Sequence, residues 1–251
     1  MKFKNKKVII TGASKGIGQN LAFSFAKEGA ELVMSYCSNK KTAIETVTTI
    51  NSYGGKSIAF QADFSDVKSV KTFVQKALNQ LGNIDIVINN AAMLARENIF
   101  ELSLDKMQKV FQVNTISPLY LSQLCLENMI KEQNKGCIIN ISSIAATVTA
   151  QHGIGYAASK AAMNKWTKNA ALNLAEYGIR VNAIAPGVIK SGMNETTENS
   201  NPKLWQYYLS NIPLKRAGMP VDISNMALFL ASDEASWITG KIFEVDGGHV
   251  L

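Results

Sequence analysis

The sequence predicts an α/β fold: a doubly wound parallel sheet with helices on both faces. Three observations predict it. Short apolar runs alternate with helical stretches along the whole chain, the pattern of repeated strand–helix units. The runs are near-continuous rather than alternating, as in IDIVIN at 84–89, which suits strands buried on both faces. A glycine-rich turn, TGASKGIG at 11–18, follows the first run and opens the first helix, and such turns bind ligands at the carboxyl ends of parallel strands.

The elements follow in order. Lys7–Thr11 reads as a short buried strand. Ile17–Glu28 reads as a helix with Leu21, Ala22, Phe25 and Ala26 on one face, closed by Gly29. Glu31–Tyr36 is a second strand, Lys40–Ser52 a helix ended by Gly54–Gly55, and Ser57–Gln61 a third strand. Asp66–Leu81 is a helix capped by Ser65 or Asp66 and stopped by Gly82. Ile84–Asn89 is a fourth strand in a central parallel position. Ser103 to Lys131 predicts one long helix, and Gly136–Ser142 a fifth strand. Ile154–Tyr177 is a helix bearing Tyr156, Ile179–Ala185 a sixth strand, Val221–Ser232 a helix and Lys241–Val245 a seventh strand. No linker interrupts the pattern and no repeat is evident, so the expectation is a single domain over residues 1–251. Lys190–Pro213 is irregular, polar at first and then aromatic (Trp205, Tyr207, Tyr208). A connection of that length predicts a lid over a site.

With 251 residues, 47% of them hydrophobic and 18% charged, the chain can bury a sizeable core. No apolar run approaches the ~20 residues needed to span a membrane. The start, MKFKNKKVIITG, is basic and then apolar, but the apolar part is only Val8 to Ile10 and no small-residue cleavage site follows. The expected location is the cytoplasm. Cys37, Cys125 and Cys137 are widely spaced, and the only histidines are His152 and His249, so neither a disulfide framework nor a metal site is expected. The net charge of +7 comes mostly from scattered lysines, with only three arginines. Without a zinc-finger or RNA-binding signature it reads as a solvated basic surface that also serves a phosphorylated cofactor, and no nucleic-acid partner is expected.

Chemistry concentrates between Ser142 and Lys160. Tyr156 and Lys160 are four apart on a helix, hence neighbours on one face. An ammonium beside a phenol favours the phenolate, so Lys160 is expected to lower the Tyr156 pKa and make it a general acid or base. Ser143 is placed to hydrogen-bond the oxygen whose proton Tyr156 gives or takes. A second Tyr-x-x-x-Lys, Tyr36 to Lys40, has no serine at the corresponding position ahead of it.

In the glycine loop, Gly12, Gly16 and Gly18 permit a tight turn and let the backbone approach a pyrophosphate at the positive end of a helix. Dinucleotide sites selective for an unphosphorylated ribose carry an acid about 20 residues on. Here Met34–Lys41 holds none, while Lys15 lies in the loop and Lys40 just past the strand. Ammonium groups without a carboxylate suit a 2′-phosphate, so NADP(H) is expected over NAD(H).

These motifs, with Asp63 in DFSD, NNAA at 89–92, Asn114, Pro186–Gly187 and the ending ITGKIFEVDGG, resemble the short-chain dehydrogenase/reductase family over essentially the whole chain. The resemblance implies a single-domain Rossmann-type sheet of seven strands ordered 3-2-1-4-5-6-7. It implies a catalytic tetrad of Asn114, Ser143, Tyr156 and Lys160, in which Tyr156 is the acid for carbonyl reduction and Asn114 holds a water linked to Lys160. Cofactor contacts are implied at Gly12, Ser14, Lys15, Gly16, Ile17 and Gly18, then at Tyr36 and Ser38. Further contacts fall at Asp63 and Phe64 beside the adenine, at Asn90 and Ala91, at Tyr156 and Lys160, and along the nicotinamide at Pro186, Gly187 and Ile189. Ala92 stands where the family has glycine, and Ser191 where it often has threonine.

Within the family the chain looks most like 3-oxoacyl-[acyl-carrier-protein] reductases, with glucose dehydrogenase-like members as the alternative. The arginines that dock a carrier protein are replaced by Asn134 with Lys135 and by Tyr177. The expected partner is therefore a small carbonyl or alcohol substrate, carrier-bound or free. The expected pocket includes Met93, Leu94, Thr147, Val148, His152 and Val188, with the lid from Trp205 to Leu209. The resemblance also implies a homotetramer paired through helices 103–131 and 154–177. A non-catalytic cofactor-sensing protein is the remote alternative.

Overall fold

The computed structural model describes residues 1–133, 135–149, 152–191 and 197–251. Seven parallel strands form one sheet in the order β3-β2-β1-β4-β5-β6-β7. The strands are β1 (Lys7–Ile10), β2 (Glu31–Tyr36), β3 (Lys56–Gln61), β4 (Ile86–Asn89), β5 (Cys137–Ile141), β6 (Arg180–Pro186) and β7 (Ile242–Val245). The continuous apolar runs have a direct cause: the central strands feed two cores, because successive side chains point to opposite faces. Val8 and Ile10 face one core and Ile9 the other; Ile88 and Val87, and Ile139 and Ile138, divide the same way.

Helices cover both faces. α1 (Gly16–Lys27), α2 (Lys40–Ser52) and α9 (Pro220–Ala231) pack on one side through Leu21, Phe25, Ile50, Ile223 and Leu230. α3 (Val67–Leu81), α5 (Ser117–Lys131) and α6 (Ile154–Leu174) pack on the other through Phe73, Leu121, Met129 and Leu174. Asp66 is the α3 cap, accepting from Lys68 N at 2.9 Å, which decides between the two candidates. Of the two candidate caps, this one leaves Ser65 to bond Asp63.

The expected single helix over 103–131 is divided. α4 (Leu104–Phe111) passes through a π-helical turn at Gln112–Ile116 into α5. Pro118 gives the reason. It has no N–H for the carbonyl four residues earlier, which belongs to Asn114, so an α-helical ladder cannot continue there. The helix expected to reach Tyr177 tightens at Ala175–Tyr177 into a 3-10 turn, and Gly178 ends it at φ +68. The stretch expected to be irregular holds two helices, α7 (Thr197–Ser200) and α8 (Pro202–Asn211). Asn201 caps α8 by accepting from Leu204 N at 3.1 Å, and Pro202 fits its first turn. Residues 192–196 of the expected lid lie outside the described residues.

Candidate active site

All seven strands point their carboxyl ends at one cleft of about 1230 Å³. Its wall begins at the glycine loop. Thr11, the residue after β1, accepts Asn90 N and Ala91 N on its hydroxyl, both at 2.9 Å. Asn90 returns both amide protons to the loop, to Thr11 O at 2.8 Å and Gly12 O at 3.0 Å. The loops after β1 and β4 are thus locked together, and the approach leaves no room for side chains. A Cβ on Gly12, which holds φ +65, would lie 2.9 Å from Ala91 Cα, and one on Gly18 would lie 2.3 Å from Gly12 O. The helix N-terminus behind the loop has Lys15 as cap with no side-chain acceptor on it, leaving its N–H groups for an anion.

Beyond β2, Ser38 and Asn39 line the cleft and Lys40 does not; Tyr36, also expected there, is 8% exposed and outside the wall. Past β3, Asp63 accepts Ser65 N and Oγ, each at 2.8 Å, and these bonds hold its carboxyl below the usual range. Lys109 of α4 also lines the cleft. It is close enough for its charge to favour the ionised forms of Asp63 and Cys37, although burial pushes the Cys37 thiol up. The sequence reading missed Lys109. Its spacing of four from Val113, which lines the same wall, is the signal that marks a shared helix face.

At the centre, Ser143 follows β5 and accepts Ala145 N at 3.1 Å, and its side chain is close enough to the Tyr156 phenol to act to lower its pKa. Burial acts the other way and more strongly, so the net shift is upward. This corrects the expectation that Lys160 acidifies Tyr156. Lys160 Nζ donates to Ile141 O at 2.7 Å and lies 5.8 Å from the Tyr156 ring centre. It is 1% exposed, and desolvation brings its own pKa down to about 7. The pair are on one helix face as expected, and burial moves both titrations, the tyrosine up and the lysine down.

Asn114 lies outside the cleft wall, fully buried in the π turn. Its side chain accepts Met93 N at 2.7 Å and donates to Met93 O at 2.9 Å and Ser159 Oγ at 3.0 Å. Both amide protons are therefore committed to protein, and the side chain ties the Met93 segment to α6. A second buried chain runs below it: Asn89 donates to Asn140 at 2.8 Å, and Asn140 to Thr167 at 2.9 Å. Together these bonds fix β4, β5 and α6 relative to one another.

Of the expected substrate residues, Met93, His152 and Val188 line the cleft with Leu94 and Val148. Thr147 and Trp205 do not. The Thr147 hydroxyl bonds Ile144 O at 3.0 Å. Trp205 is 4% exposed and packs inward, while Leu204 and Tyr208, one turn apart on α8, face the cleft. Arg96, Ser142 and His249 also line it and were not anticipated. Pro186, Gly187 and Ile189 form the opposite wall, and a Cβ on Gly187 would lie 2.7 Å from Asp246 Cα. Asn134 lies outside the described residues; Lys135 and Tyr177 are exposed.

Comparison with known proteins agrees with this geometry. A family model described as enoyl-(acyl carrier protein) reductase matches residues 12–249. An L-rhamnose 1-dehydrogenase (NADP(+)) of Thermoplasma acidophilum is 35% identical, covering 99% of this chain and 98% of its own. A 3-oxoacyl-[acyl-carrier-protein] reductase of Staphylococcus aureus is 36% identical, covering 98% of each. A solved 7α-hydroxysteroid dehydrogenase complexed with NADH and 7-oxo glycochenodeoxycholic acid superposes with a TM-score of 0.93 at 36% identity, over 98% of this chain and 95% of that one. The chain belongs to the short-chain dehydrogenase/reductase family and is an oxidoreductase acting on CH–OH groups. No helix among the described residues is long and apolar enough to cross a membrane.

Proposed function

We propose that the protein interconverts a carbonyl and a secondary alcohol with NADP(H), using Tyr156 as the proton donor and acceptor. The observation that carries this reading is that Ser143 and Tyr156 line one cleft with buried Lys160 one helical turn on, and that the cleft starts at a glycine-lined helix N-terminus.

The residues fit the cofactor. Gly12, Gly16 and Gly18 line the cleft at the start of α1, and the helix N-terminus there has no side-chain cap, which leaves its N–H groups for a pyrophosphate. The wall carries the hydroxyl and amide of Ser38 and Asn39 beyond β2 and the ammonium of Lys15 from the glycine loop, which suit a 2′-phosphate. Relatives use both forms, one named for NADP(+) and one solved with NADH, so these side chains decide the preference. When bound, the cofactor supplies or takes the hydride. The protein does the rest. Ser143 and Tyr156 hold the carbonyl oxygen between two hydroxyls, and Tyr156 delivers its proton there. The raised phenol pKa keeps that proton in place at neutral pH. Lys160 refills the proton position from below, and Asn114 holds the Met93 wall against α6.

Wild-type protein should bind NADPH at least tenfold tighter than NADH. Lys15→Ala should cost roughly tenfold on NADPH alone, the size of one lost charge-assisted bond. Equal or tighter NADH binding by titration calorimetry would overturn the cofactor assignment.

For the substrate, the wall shifts the balance toward a compact polar carbonyl compound. Arg96, His152, Tyr208 and His249 line the cleft and offer polar partners to such a compound, beside the apolar Met93, Leu94, Val148, Val188 and Leu204. A 3-oxoacyl thioester remains the second reading, supported by the Staphylococcus aureus relative and by exposed Lys135 near one docking position. NADPH consumption measured in parallel with acetoacetyl-thioester, aldoses, diketones and steroids should show turnover on a hydroxylated carbonyl first. Binding of NADPH without turnover on any of them would instead support the cofactor-sensing alternative. For assembly, we take the homotetramer of the family as the working reading, with light scattering as its test.

A further inference from the structure

Three segments are fastened together where β2 and β3 end. Tyr36 closes β2 opposite Gln61 at the end of β3. Ala62 N donates to Tyr36 O at 2.8 Å and Gln61 Nε2 to Cys37 O at 2.9 Å. Cys37, Ser38 and Asn39 therefore leave β2 alongside Asp63 and Phe64. The third segment arrives from α4. Ser117 Oγ donates to Phe64 O at 2.6 Å, which ties the loop past β3 to the start of α5, and α5 continues α4 through the π turn. Within α4, Val110 is fully buried, and Val113 one turn beyond Lys109 packs in the same core as Phe64. Lys109 is placed by these contacts. It lines the cleft with Cys37, Ser38, Asn39 and Asp63, and its charge acts on both Cys37 and Asp63. That charge has no acid bound to it. The Asp63 carboxylate accepts Ser65 N and Oγ, and Lys106 of the same helix pairs with Glu97 at 3.5 Å. Lys109 forms no ion pair among the described residues. Lys40, the lysine whose place in the sequence suggested a phosphate contact, lies outside the wall.

We propose that Lys109 is a specificity-determining residue for the cofactor: its ammonium, brought in by α4, holds the 2′-phosphate of NADP(H), so that two separate elements, the glycine loop with Lys15 and α4 with Lys109, supply the positive charge. The assignment rests on the reading that the cleft takes NADP(H) with its adenosine end at Ser38, Asn39 and Asp63. A phosphate dianion beside the ionised Asp63 is repelled by it, and a cation lining the same edge offsets that repulsion. NAD(H) carries a neutral hydroxyl at the same place and gains little from the cation. An ammonium on a long flexible stem serves a phosphate as a point charge, and at an exposed position salt screens it.

The test is titration calorimetry of NADPH and of NADH on the full chain, in wild type, Lys109→Gln, Lys109→Glu and Lys109→Arg. Lys109 is exposed, so the variants should keep the fold. The expected result is a fall of about threefold to tenfold in the NADPH-to-NADH affinity ratio for Lys109→Gln, carried by NADPH alone. Lys109→Glu should lose more, Lys109→Arg should retain most of the ratio, and the losses should shrink as salt rises. Equal losses on both cofactors would make Lys109 a contact of the adenine or a packing residue, and an unchanged ratio in Lys109→Glu would make it a solvated lysine; either result overturns the proposal. The cofactor preference fails separately, if wild type binds NADH as tightly as NADPH. Lys109 is still judged then, by whether the ratio falls from wild type to Lys109→Glu. Wild type that binds neither cofactor removes both readings.

Discussion

Tyr156→Phe should lower kcat for carbonyl reduction at least a hundredfold while leaving NADPH affinity within about threefold. The phenol ring packs identically without its oxygen, so the loss measures the proton alone, and acid–base catalysis by a positioned side chain contributes roughly 10²–10⁴-fold. Two features make Tyr156 the donor. Burial raises its pKa above the ordinary phenol value, so it is protonated throughout the neutral range, as an acid for reduction must be. Ser143 opposes that rise, favouring the phenolate left after the proton has gone. Alcohol oxidation needs the deprotonated form, so its rate should climb with pH where reduction stays flat. Steady-state kinetics with near-normal turnover in Tyr156→Phe would remove the tyrosine from the mechanism.

The fold was legible because each signal was local and repeated. Strand runs such as IDIVIN feed two cores at once, and a parallel sheet covered by helices on both faces hides both sides of such runs. The misjudged elements share a different cause. Pro118 stands in an apolar helical pattern, and periodicity overrode it; yet its missing N–H forces the π turn that buries Asn114. Asn201–Pro202 was a readable helix start inside a stretch taken as irregular.

The site was legible where backbone geometry dictates the residue. Gly12 and Gly18 admit no side chain, and Tyr156 and Lys160 follow from helical spacing. It was not legible where long-range packing chooses the neighbour. Nothing near Lys109 in the sequence says that α4 crosses the ends of β2 and β3. Nothing near His249 says that the tail folds back to the cleft. Trp205 was the conspicuous aromatic, and conspicuous apolar bulk was drawn into the interior, leaving Leu204 and Tyr208 to face the cleft. The expectation that Lys160 lowers the Tyr156 pKa failed for a related reason. Spacing reports that two groups are neighbours, whereas burial decides which of them pays for its charge.

That burial gives the second large effect. Lys160→Met should abolish turnover and yet raise stability at pH 6. A lysine whose pKa falls from 10.5 to about 7 on folding carries a penalty of roughly 4–5 kcal/mol wherever both states are protonated. Below pH 7 that full penalty applies. Between pH 7 and 10.5 the unfolded chain binds the proton and the native one does not, so wild-type stability rises with pH across that window. Methionine removes the penalty but leaves the Ile141 carbonyl without the donor it now has at 2.7 Å, a loss of about 1–3 kcal/mol. The balance at pH 6 is a gain of roughly 2 kcal/mol, or about 4–8 °C in Tm for a chain of this size. By pH 10.5 the lysine is neutral when folded, the gain is gone, and the missing hydrogen bond should make the variant the less stable of the two. Melting curves of both proteins from pH 6 to 10.5 should therefore cross. Parallel curves, or a variant that melts lower at pH 6, would show that Lys160 carries no desolvation cost and that its buried ammonium is stabilised by the fold rather than held there for the reaction.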